Sequence, residues 1–528
     1  MEDIVKLFPM PEFRSKQKEI LVKCYEAFES GVRLILLDAP VGFGKSAVNT
    51  TLCRYYTPSV YTTPQLSLID QIKSDKYLSK FFTEIKGRDN YMCPKDMYLT
   101  TVRYGKCRRV KDHGCNMFRE CPYYSQKIKA INSLMTLMST AYYIVDAYLE
   151  PPNFSSRNLV VIDEGHMLAE HVASQVSFQV TRNSMPKVIY ERYKDILTGE
   201  PSIDLLIMMY RDMAEFSRHM QSKLDGEGLS DEETVEKLKA EEWMERCDRY
   251  VKTMKLADWV WSRRHDGWAA MPVYPKYLMS EMIWSRGYRF IVSSATILDP
   301  DFWADENGAK MYFKPDEIVY IRTGMSFPPE NRRVVDVSVG SMSYRDQTDN
   351  LESAIEIIRY IIGMHRNENI AIHVPSYELA EKIYRSLGGE DRKIIMPSPE
   401  DRDVKLTEWK NNGGVFLAVA YWEGQDWKYD VCTVQILAKT LYPDVSDARV
   451  KRRLKAKDYK WLMWTALMKC LQAYGRAIRA EDDKMVFYVL DTKFWELVRR
   501  MWKHVPQWFR EVIPENRLPK TARKHGKV

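Results

Sequence analysis

A phosphate-binding pattern, Ala39–Ser46, follows directly after an apolar, strand-like run. Gly42 and Gly44 let the backbone turn so that its amides can point at a phosphate chain. Lys45 can reach the terminal phosphates, and the Ser46 hydroxyl can ligate Mg²⁺. The alternative is a plain glycine turn between a buried strand and a surface helix. The order of strand, glycine-rich loop and Gly-Lys-Ser predicts a nucleoside triphosphate site.

Two adjacent carboxylates, Asp163 and Glu164, follow the apolar run at 158–162. Such a pair at the carboxyl end of a buried parallel strand suits Mg²⁺ chemistry, and Asp163 would hold the metal ion that bridges the phosphates. Glu164 would orient and deprotonate the attacking water. A chance acidic strand end is the alternative, but the position at domain-scale distance after a phosphate loop favours the functional interpretation.

Four of the 9 cysteines, Cys93, Cys107, Cys115 and Cys121, lie close together in the chain. In a reducing compartment this grouping indicates a metal site rather than disulfides. Because the spacing differs from the paired cysteines of common zinc folds, an iron–sulfur cluster held by four thiolates is the first expectation. Zinc stays open as the alternative, since soft thiolates bind both metals, and His113 could replace a ligand.

An amide and two arginines could also contact a nucleotide. Gln17 precedes the loop and could read an adenine edge, although its spacing alone indicates an exposed polar residue. Arg476 and Arg479 lie three apart on one helical side, where both could face a phosphate in another domain. Such arginines stabilise charge on a transferring phosphoryl group. An exposed basic helix end, favoured by the helix dipole, is the alternative.

The elements that must position these residues alternate between strand-like and helix-like patterns. Apolar strand-like runs occur at 33–38, 59–64, 158–162, 288–292, 369–374, 414–420 and 485–490. Helical patterns separate most of these runs. The alternation predicts an α/β fold built on parallel sheets.

Two segments interrupt the first series of strands. The cysteine segment, 88–126, indicates a small inserted module, and 170–264 indicates a helical insertion with a capping box beginning at Ser230. A proline-rich connection then precedes the second series. We therefore expect two domains, 1–325 and 326–528, with both insertions in the first.

Length and composition agree with a large globular protein. The chain has 528 residues, of which 45% are hydrophobic, and this exceeds what one core usually serves. The net charge of +7 suits a polyanion partner, although a solvated basic face also explains it. No apolar run approaches the ~20 residues needed to span a membrane, and the start resembles neither a signal nor a transit peptide. We expect a cytoplasmic protein without a membrane partner.

Taken in order, these residues resemble the motifs of the iron–sulfur group of superfamily 2 helicases that includes XPD and DinG. The matching segments are Ala39–Ser46, Thr62–Gln65, Asp163–His166, Ser293–Thr296, Ser376–Tyr377, Glu423–Asp426 and Gln472–Arg479. Phe13, Arg14 and Gln17 resemble the adenine-side motif of the family, and Cys121–Tyr124 matches the cysteine module. Gly165 stands where the family usually has alanine, and since both residues are small we expect this to be tolerated.

The resemblance implies two RecA-like parallel-sheet domains, the first with an iron–sulfur insertion and an arch-like helical insertion. ATP and Mg²⁺ would occupy the cleft between them, and a 4Fe–4S cluster would sit on the four cysteines. His166 and Gln472 would join the catalytic residues. Gly424 and Asp426 would join the nucleotide-binding residues.

The same resemblance implies a monomeric DNA helicase that moves 5′ to 3′ on single-stranded DNA and splits forked duplexes. Phosphate contacts would dominate, so DNA affinity should fall with salt. An RNA-dependent ATPase or RNA helicase is the alternative among enzymes. From another class, a nucleic-acid-binding redox sensor gated by the cluster remains open.

Overall fold

The computed structural model describes residues 2–14, 16–97, 99–105, 115, 119–226, 228–324, 327–388, 392–419, 427, 431–478 and 483–519. The predicted domain boundary falls at Met325 and Ser326, which lie outside these ranges, and it stays a prediction. No helix within the described ranges is long and apolar enough to cross a membrane.

Strands and helices alternate along most of the chain. The strands are β1 Leu34–Asp38, β2 Ser59–Thr63, β3 Thr83–Ile85, β4 Met135–Ser139, β5 Arg157–Asp163, β6 Phe178–Thr181, β7 Trp259–Arg264, β8 Gly267–Pro272, β9 Gly287–Ser294, β10 Ile318–Arg322, β11 Arg332–Gly340, β12 Ile370–Val374, β13 Ile394–Ile395, β14 Val415–Val419, β15 Val434–Leu437 and β16 Met485–Asp491. The helices are α1 Glu2–Lys6, α2 Gln17–Glu29, α3 Lys45–Tyr55, α4 Leu66–Ser74, α5 Pro122–Ile131, α6 Thr140–Asp146, α7 Leu168–Val176, α8 Lys187–Tyr193, α9 Ile203–Gly226, α10 Asp231–Thr253, α11 Met279–Met282, α12 Pro300–Glu306, α13 Ala309–Tyr312, α14 Gln347–Met364, α15 Tyr377–Ser386, α16 Arg402–Asn412, α17 Ala448–Lys455, α18 Tyr459–Tyr474, α19 Thr492–Arg500 and α20 Gln507–Arg510.

The first sheet has seven parallel strands in the order β10-β1-β9-β5-β2-β4-β3. Both of its faces are buried: in β1, Leu34 and Leu36 enter one hydrophobic cluster, and Ile35 and Leu37 enter another on the opposite face. Alternate residues of a strand face opposite sides, which explains the continuous apolar run. Because β9 lies between β1 and β5, the loops that follow these three strands meet at one edge of the sheet.

The second sheet has six parallel strands in the order β11-β16-β15-β12-β14-β13. Its central strands β15 and β12 are fully buried. The two parallel sheets confirm the predicted α/β class. The sequence analysis did not mark β4, β10, β11 or β15 as strands, because each is short or mixes polar residues into its apolar run.

The stretch predicted as helical, 170–264, contains the long helices α9 and α10, which pack against each other. The capping box is confirmed, since the Glu233 backbone N–H donates to Ser230 Oγ over 3.2 Å and the Ser230 N–H donates to Glu233 Oε2 over 3.0 Å. The prediction of helices alone was incomplete, because β6 and β7 flank β8 in an antiparallel sheet. Aromatic side chains such as Phe178 and Trp243 pack between this sheet and the helices.

Helix α17, in the second half of the chain, packs against the first half through two buried arginines. Arg449 Nε and Arg453 Nε both donate to the Val273 carbonyl, over 3.2 and 3.0 Å. Arg449 also pairs with Glu170, and Arg453 with Glu306. The two sheets are therefore held side by side by buried ionic contacts as well as by apolar packing.

Candidate nucleotide site

The phosphate loop begins where β1 ends, and its glycines adopt a conformation that other residues rarely adopt. Gly42 has φ 78° and Gly44 has φ 81°, and α3 starts at Lys45 immediately afterwards. At both glycines the left-handed backbone is available without a Cβ penalty. The loop therefore directs the N-terminus of α3 towards the edge of the first sheet, where an anion would be favoured.

Lys45 lies between the loop and the carboxylate pair. Its Nζ donates to the Ala39 carbonyl over 3.1 Å and lies 3.9 Å from Glu164 Oε1. The lysine side chain is only 11% exposed, whereas that of Glu164 is 27% exposed. Lys45 and Glu164, which are far apart in sequence, thus meet across the sheet edge, as expected for groups that act on one phosphate chain.

Asp163 is held rigidly at the end of β5. Tyr61 donates to Asp163 Oδ2 over 3.0 Å and Ser293 donates to Oδ1 over 2.8 Å. Asn49 Nδ2 in turn donates to Ser293 Oγ over 2.9 Å. Burial raises the pKa of Asp163, and Glu164 adds to that rise, whereas Lys45 opposes it. A nearby divalent cation would favour the ionised carboxylate by the same electrostatic logic as Lys45.

His166 is buried beside Glu164. Its Nδ1 lies 2.9 Å from Ser294 Oγ and 3.4 Å from Glu164 Oε2, and Nε2 has no hydrogen-bond partner within the described ranges. Burial lowers the pKa of His166 to about 4, so the imidazole is neutral at neutral pH. A neutral histidine here connects β9 to the carboxylate pair without adding charge.

Gly165 fits against Val292 with no room for a side chain. A Cβ added at Gly165 would lie 2.4 Å from Val292 Cγ1 and 3.3 Å from Ile162 Cγ2. Both neighbours are buried strand residues. The glycine at this position is thus matched to its surroundings and is not interchangeable with alanine, although both are small.

The end of α18 reaches the same site from the second half of the chain. Gln472 Nε2 donates to Thr296 Oγ1 over 2.5 Å, directly after β9. A Cβ added at Gly475 would lie 3.3 Å from Val41 Cγ2, so the turn after α18 adjoins the phosphate loop. Arg476 in that turn is 3% exposed. Of the predicted site residues in the second half, Gln472 is therefore brought to the loop after β9, and Arg476 follows the glycine that adjoins the phosphate loop.

Five residues singled out in the sequence lie outside the described ranges. They are Cys107, His113, Gly424, Asp426 and Arg479. Their predicted roles stay predictions.

A pocket of about 600 Å³ opens beside the loop, and Gln17, Gly44, Ser46 and Asp163 are among the residues that line it. Gln17 Nε2 donates to the Phe43 carbonyl over 2.8 Å, and its Oε1 accepts from the Arg14 backbone N–H over 2.7 Å. The side chain is 2% exposed, contrary to the exposed residue that its spacing indicated. Gln17 thus braces the phosphate loop, and its contact with a base stays a prediction.

The predicted cluster ligands are only partly described. Cys93 and Cys121 are buried, Cys115 is half-buried, and all three are free thiols. Within the described ranges no three histidine, cysteine or carboxylate side chains are close enough together to hold a metal ion. Because the fourth predicted ligand, Cys107, lies outside the described ranges, the iron–sulfur cluster stays a prediction.

Sequence reasoning missed the residues that hold Asp163. Asn49 follows Ser46 by three positions in α3, so helical spacing could have placed both on one side of the helix. Tyr61 carried no such signal, because an aromatic residue in a buried strand reads as core. Its partner, the Asp163 carboxylate, is identified only when β2 and β5 are seen to be neighbours.

Comparison with protein families finds one match in each half of the chain. Residues 360–512 match the helicase C-terminal domain, and residues 10–199 match the family described as type III restriction enzyme, res subunit. No curated protein matches the sequence. The first-half match contains Lys45 and Asp163, and the second-half match contains Gln472 and Arg476.

Solved structures of XPD superpose on nearly the whole chain. An XPD helicase matches with a TM-score of 0.63 and 15% identity, over 94% of this chain and 99% of that chain. Xpd4 from S. tokodaii matches with a TM-score of 0.59 and 16% identity, over 93% of this chain and 98% of that chain. At such low identity these matches establish the fold, which is that of two RecA-like parallel-sheet domains.

Proposed function

We propose that this chain is a superfamily 2 DNA helicase driven by ATP hydrolysis, because its second half matches the helicase C-terminal domain and its fold is similar to that of XPD. The observation that carries the proposal is the meeting of Lys45 and Glu164, 3.9 Å apart, with the end of α18 packed against the same loop. A protein that only binds a nucleotide does not require a second domain beside the phosphate loop, whereas a motor that couples hydrolysis to movement does.

The first half would bind the nucleotide and activate water. Ser46 and Asp163 line one pocket and offer the hydroxyl and carboxylate oxygens that Mg²⁺ prefers. When bound, Mg²⁺ would neutralise charge on the phosphates. Lys45 would contact the terminal phosphates, and Glu164 would orient the attacking water and accept its proton.

The second half would complete the site. Arg476, together with Arg479, would stabilise charge that develops on the transferring phosphoryl group. Gln472 would respond to opening and closing of the cleft, because its hydrogen bond to Thr296 joins α18 of the second half to the loop after β9 of the first. Both halves would contact the terminal phosphate, so its loss on hydrolysis would remove an interaction that holds the cleft closed. Opening of the cleft would then move the protein along the DNA strand.

The nucleic acid is proposed to be single-stranded DNA next to a fork, travelled 5′ to 3′. The net charge of +7 supports a polyanion partner, and the resemblance of the motifs to the iron–sulfur helicase group makes DNA the first substrate to test. Comparing ATP turnover with DNA and RNA strands of one sequence separates the helicase from its RNA-dependent alternative. Forks with opposite single-stranded tails establish the direction.

Glu164→Gln tests the hydrolytic assignment. The amide keeps shape and hydrogen bonding but cannot accept a proton, so kcat for ATP should fall roughly 10²- to 10⁴-fold while ATP still binds. Glu245→Gln, on an exposed face of α10, is the matched control and should behave as wild type. Full turnover by Glu164→Gln would refute the assignment.

We also propose that the cysteine segment holds an iron–sulfur cluster at which the strands separate. Iron and zinc analysis and a visible spectrum of anaerobically purified protein test for the cluster. Cys115→Ser should lower bound iron, because a serine oxygen is a poorer ligand for soft iron, whereas the control Cys247→Ala should not. Unwinding at the wild-type rate in a protein free of iron and zinc would remove the cluster from the proposal. Unwinding that is unchanged by oxidation of the cluster would exclude the redox-sensor alternative.

A further inference from the structure

A chain of two buried polar side chains runs beneath the end of α18. His373 in β12 is 1% exposed, and Gln435 in β15 is 0% exposed. His373 Nε2 lies 2.8 Å from Gln435 Oε1, and Gln435 Nε2 donates to the Tyr474 carbonyl over 3.1 Å. Nothing in the nucleotide chemistry derived above uses either side chain.

The register of the second sheet explains why these side chains meet. Gln435 pairs with Ala371 in the neighbouring strand β12, and His373 lies two residues further along that strand. Residues two apart in a strand share one face, and diagonal neighbours across strands are within reach of long side chains. Both residues therefore point to the side of the sheet on which α18 packs.

The direction of the hydrogen bonds follows from the final acceptor. The Tyr474 carbonyl can only accept, so the amide nitrogen of Gln435 must face it and the amide oxygen must face His373. His373 Nε2 must then carry the hydrogen and donate it. The ring of His373 also stacks on Trp427, with centroids 5.7 Å apart, and this fixes the imidazole plane.

The acceptor is the last residue of α18, whose carbonyl cannot bond within the helix. Arg476 is two residues further on, in the turn that adjoins the phosphate loop. The same turn is held from the other side, because the Trp427 backbone N–H donates to the Arg476 carbonyl over 3.2 Å. Trp427 and Gln435 thus fix the backbone on either side of Gly475.

A buried glutamine in a central strand is costly unless both ends of its amide are bonded, and an apolar residue would fill the same space. If Gln435 only stabilised the fold, any buried hydrogen-bond acceptor could serve as the partner of its amide nitrogen. Here the bonded partner is the carbonyl that sets where the arginine turn begins.

We propose that Gln435, oriented by His373, is a positioning residue that places Arg476 against the phosphate loop for ATP hydrolysis. This inference rests on the proposed function. It predicts that losing the Gln435 bond acts on turnover through Arg476 and leaves ATP binding almost unchanged, because a small misplacement of a charge-stabilising group affects the transition state most.

The test is a double-mutant cycle on the full-length protein with single-stranded DNA present. Gln435→Met keeps the side-chain volume but loses both amide bonds, and kcat should fall roughly 10- to 100-fold with KM for ATP near the wild-type value. In an Arg476→Ala background, Gln435→Met should lower kcat little further. Ile436→Ala, on the opposite face of β15, is the control for lost stability and should keep kcat at temperatures where it is folded.

An equal fall in kcat in both backgrounds would overturn the proposal, as would full turnover by Gln435→Met. If Gln435→Met does not fold, His373→Phe keeps an aromatic ring against Trp427 and removes the Nε2–H that donates to Gln435, and the same cycle is run with it. An inactive wild-type protein, or full turnover by Arg476→Ala alone, would instead count against the proposed function.

Discussion

Gln472 donates a hydrogen bond to the hydroxyl of Thr296 over 2.5 Å, and this bond joins α18 of the second half to the loop after β9 of the first. Ser294, the last residue of β9, contacts His166. Polar contacts therefore connect the carboxylate pair, through His166 and Ser294, to the strand end beside which α18 of the second half is bonded.

Removing this bond should weaken coupling between the halves. Gln472→Leu and Thr296→Val should each lower DNA-stimulated turnover roughly 2- to 10-fold, the value of one neutral hydrogen bond. The double variant should be no slower than the worse single variant, and steady-state ATPase assays measure this. Independent, multiplying losses would show that the two side chains act separately.

Lys45→Ala should lower ATP hydrolysis more than roughly 10²-fold, because the variant loses the cation that faces the terminal phosphates. Binding of single-stranded DNA should persist, and fluorescence anisotropy measures it. Lys23→Ala, on an exposed face of α2, is the matched control and should retain activity. Retained hydrolysis in Lys45→Ala would refute the nucleotide assignment.

Stability should depend on pH through His373. Burial lowers the pKa of His373 to about 4, and nearby Arg476 also disfavours its charge. Between the unfolded pKa of about 6.5 and the folded value, only the unfolded chain binds the proton, so the free energy of unfolding falls as pH falls through that window. Above pH 6.5 the contribution of neutral His373 to the free energy of unfolding is fully present.

His373→Phe cannot titrate, so its melting temperature should fall less steeply from pH 6.5 to pH 5 than that of the wild type. His166 titrates in the same way, so some dependence should remain. Identical slopes for variant and wild type would show that His373 is not buried in its neutral form.

Gly165→Ala should destabilise the first half by about 1–3 kcal/mol, since the added methyl overpacks Val292 and Ile162. Val292→Ala alone should also cost stability, because it leaves a cavity. The double variant should lose less than the sum of the two. Thermal melting measures all three, and strict additivity would show that the two side chains do not compete for space.

The sequence was sufficient for the long buried strands and the phosphate loop. Strands of a parallel sheet are buried on both faces, so continuous apolar runs such as Val160–Ile162 indicate them directly. It was insufficient for edge strands such as β10 and β11, where half-buried polar residues blur the pattern, and for the small antiparallel sheet beside α9. Strand pairing is a long-range property that local periodicity does not encode.

For the site, motif spacing predicted Lys45, Asp163, Glu164 and Arg476 before any contact was known, and the family resemblance added Gln472. It did not identify Tyr61, Asn49 or Gln435, because their partners are set by which strands become neighbours. It also indicated the wrong environment for Gln17, since an isolated glutamine before a helix gives no sign of the loop that will cover it.

The fit of Gly165 against Val292 has an evolutionary consequence. We expect the two positions to change together: a relative with alanine at the first should carry a residue smaller than valine at the second. A single substitution at either position should give a protein with a lower free energy of unfolding until the second position also changes. An alignment of relatives should therefore show these two columns varying together, even though neither side chain touches the phosphate chemistry.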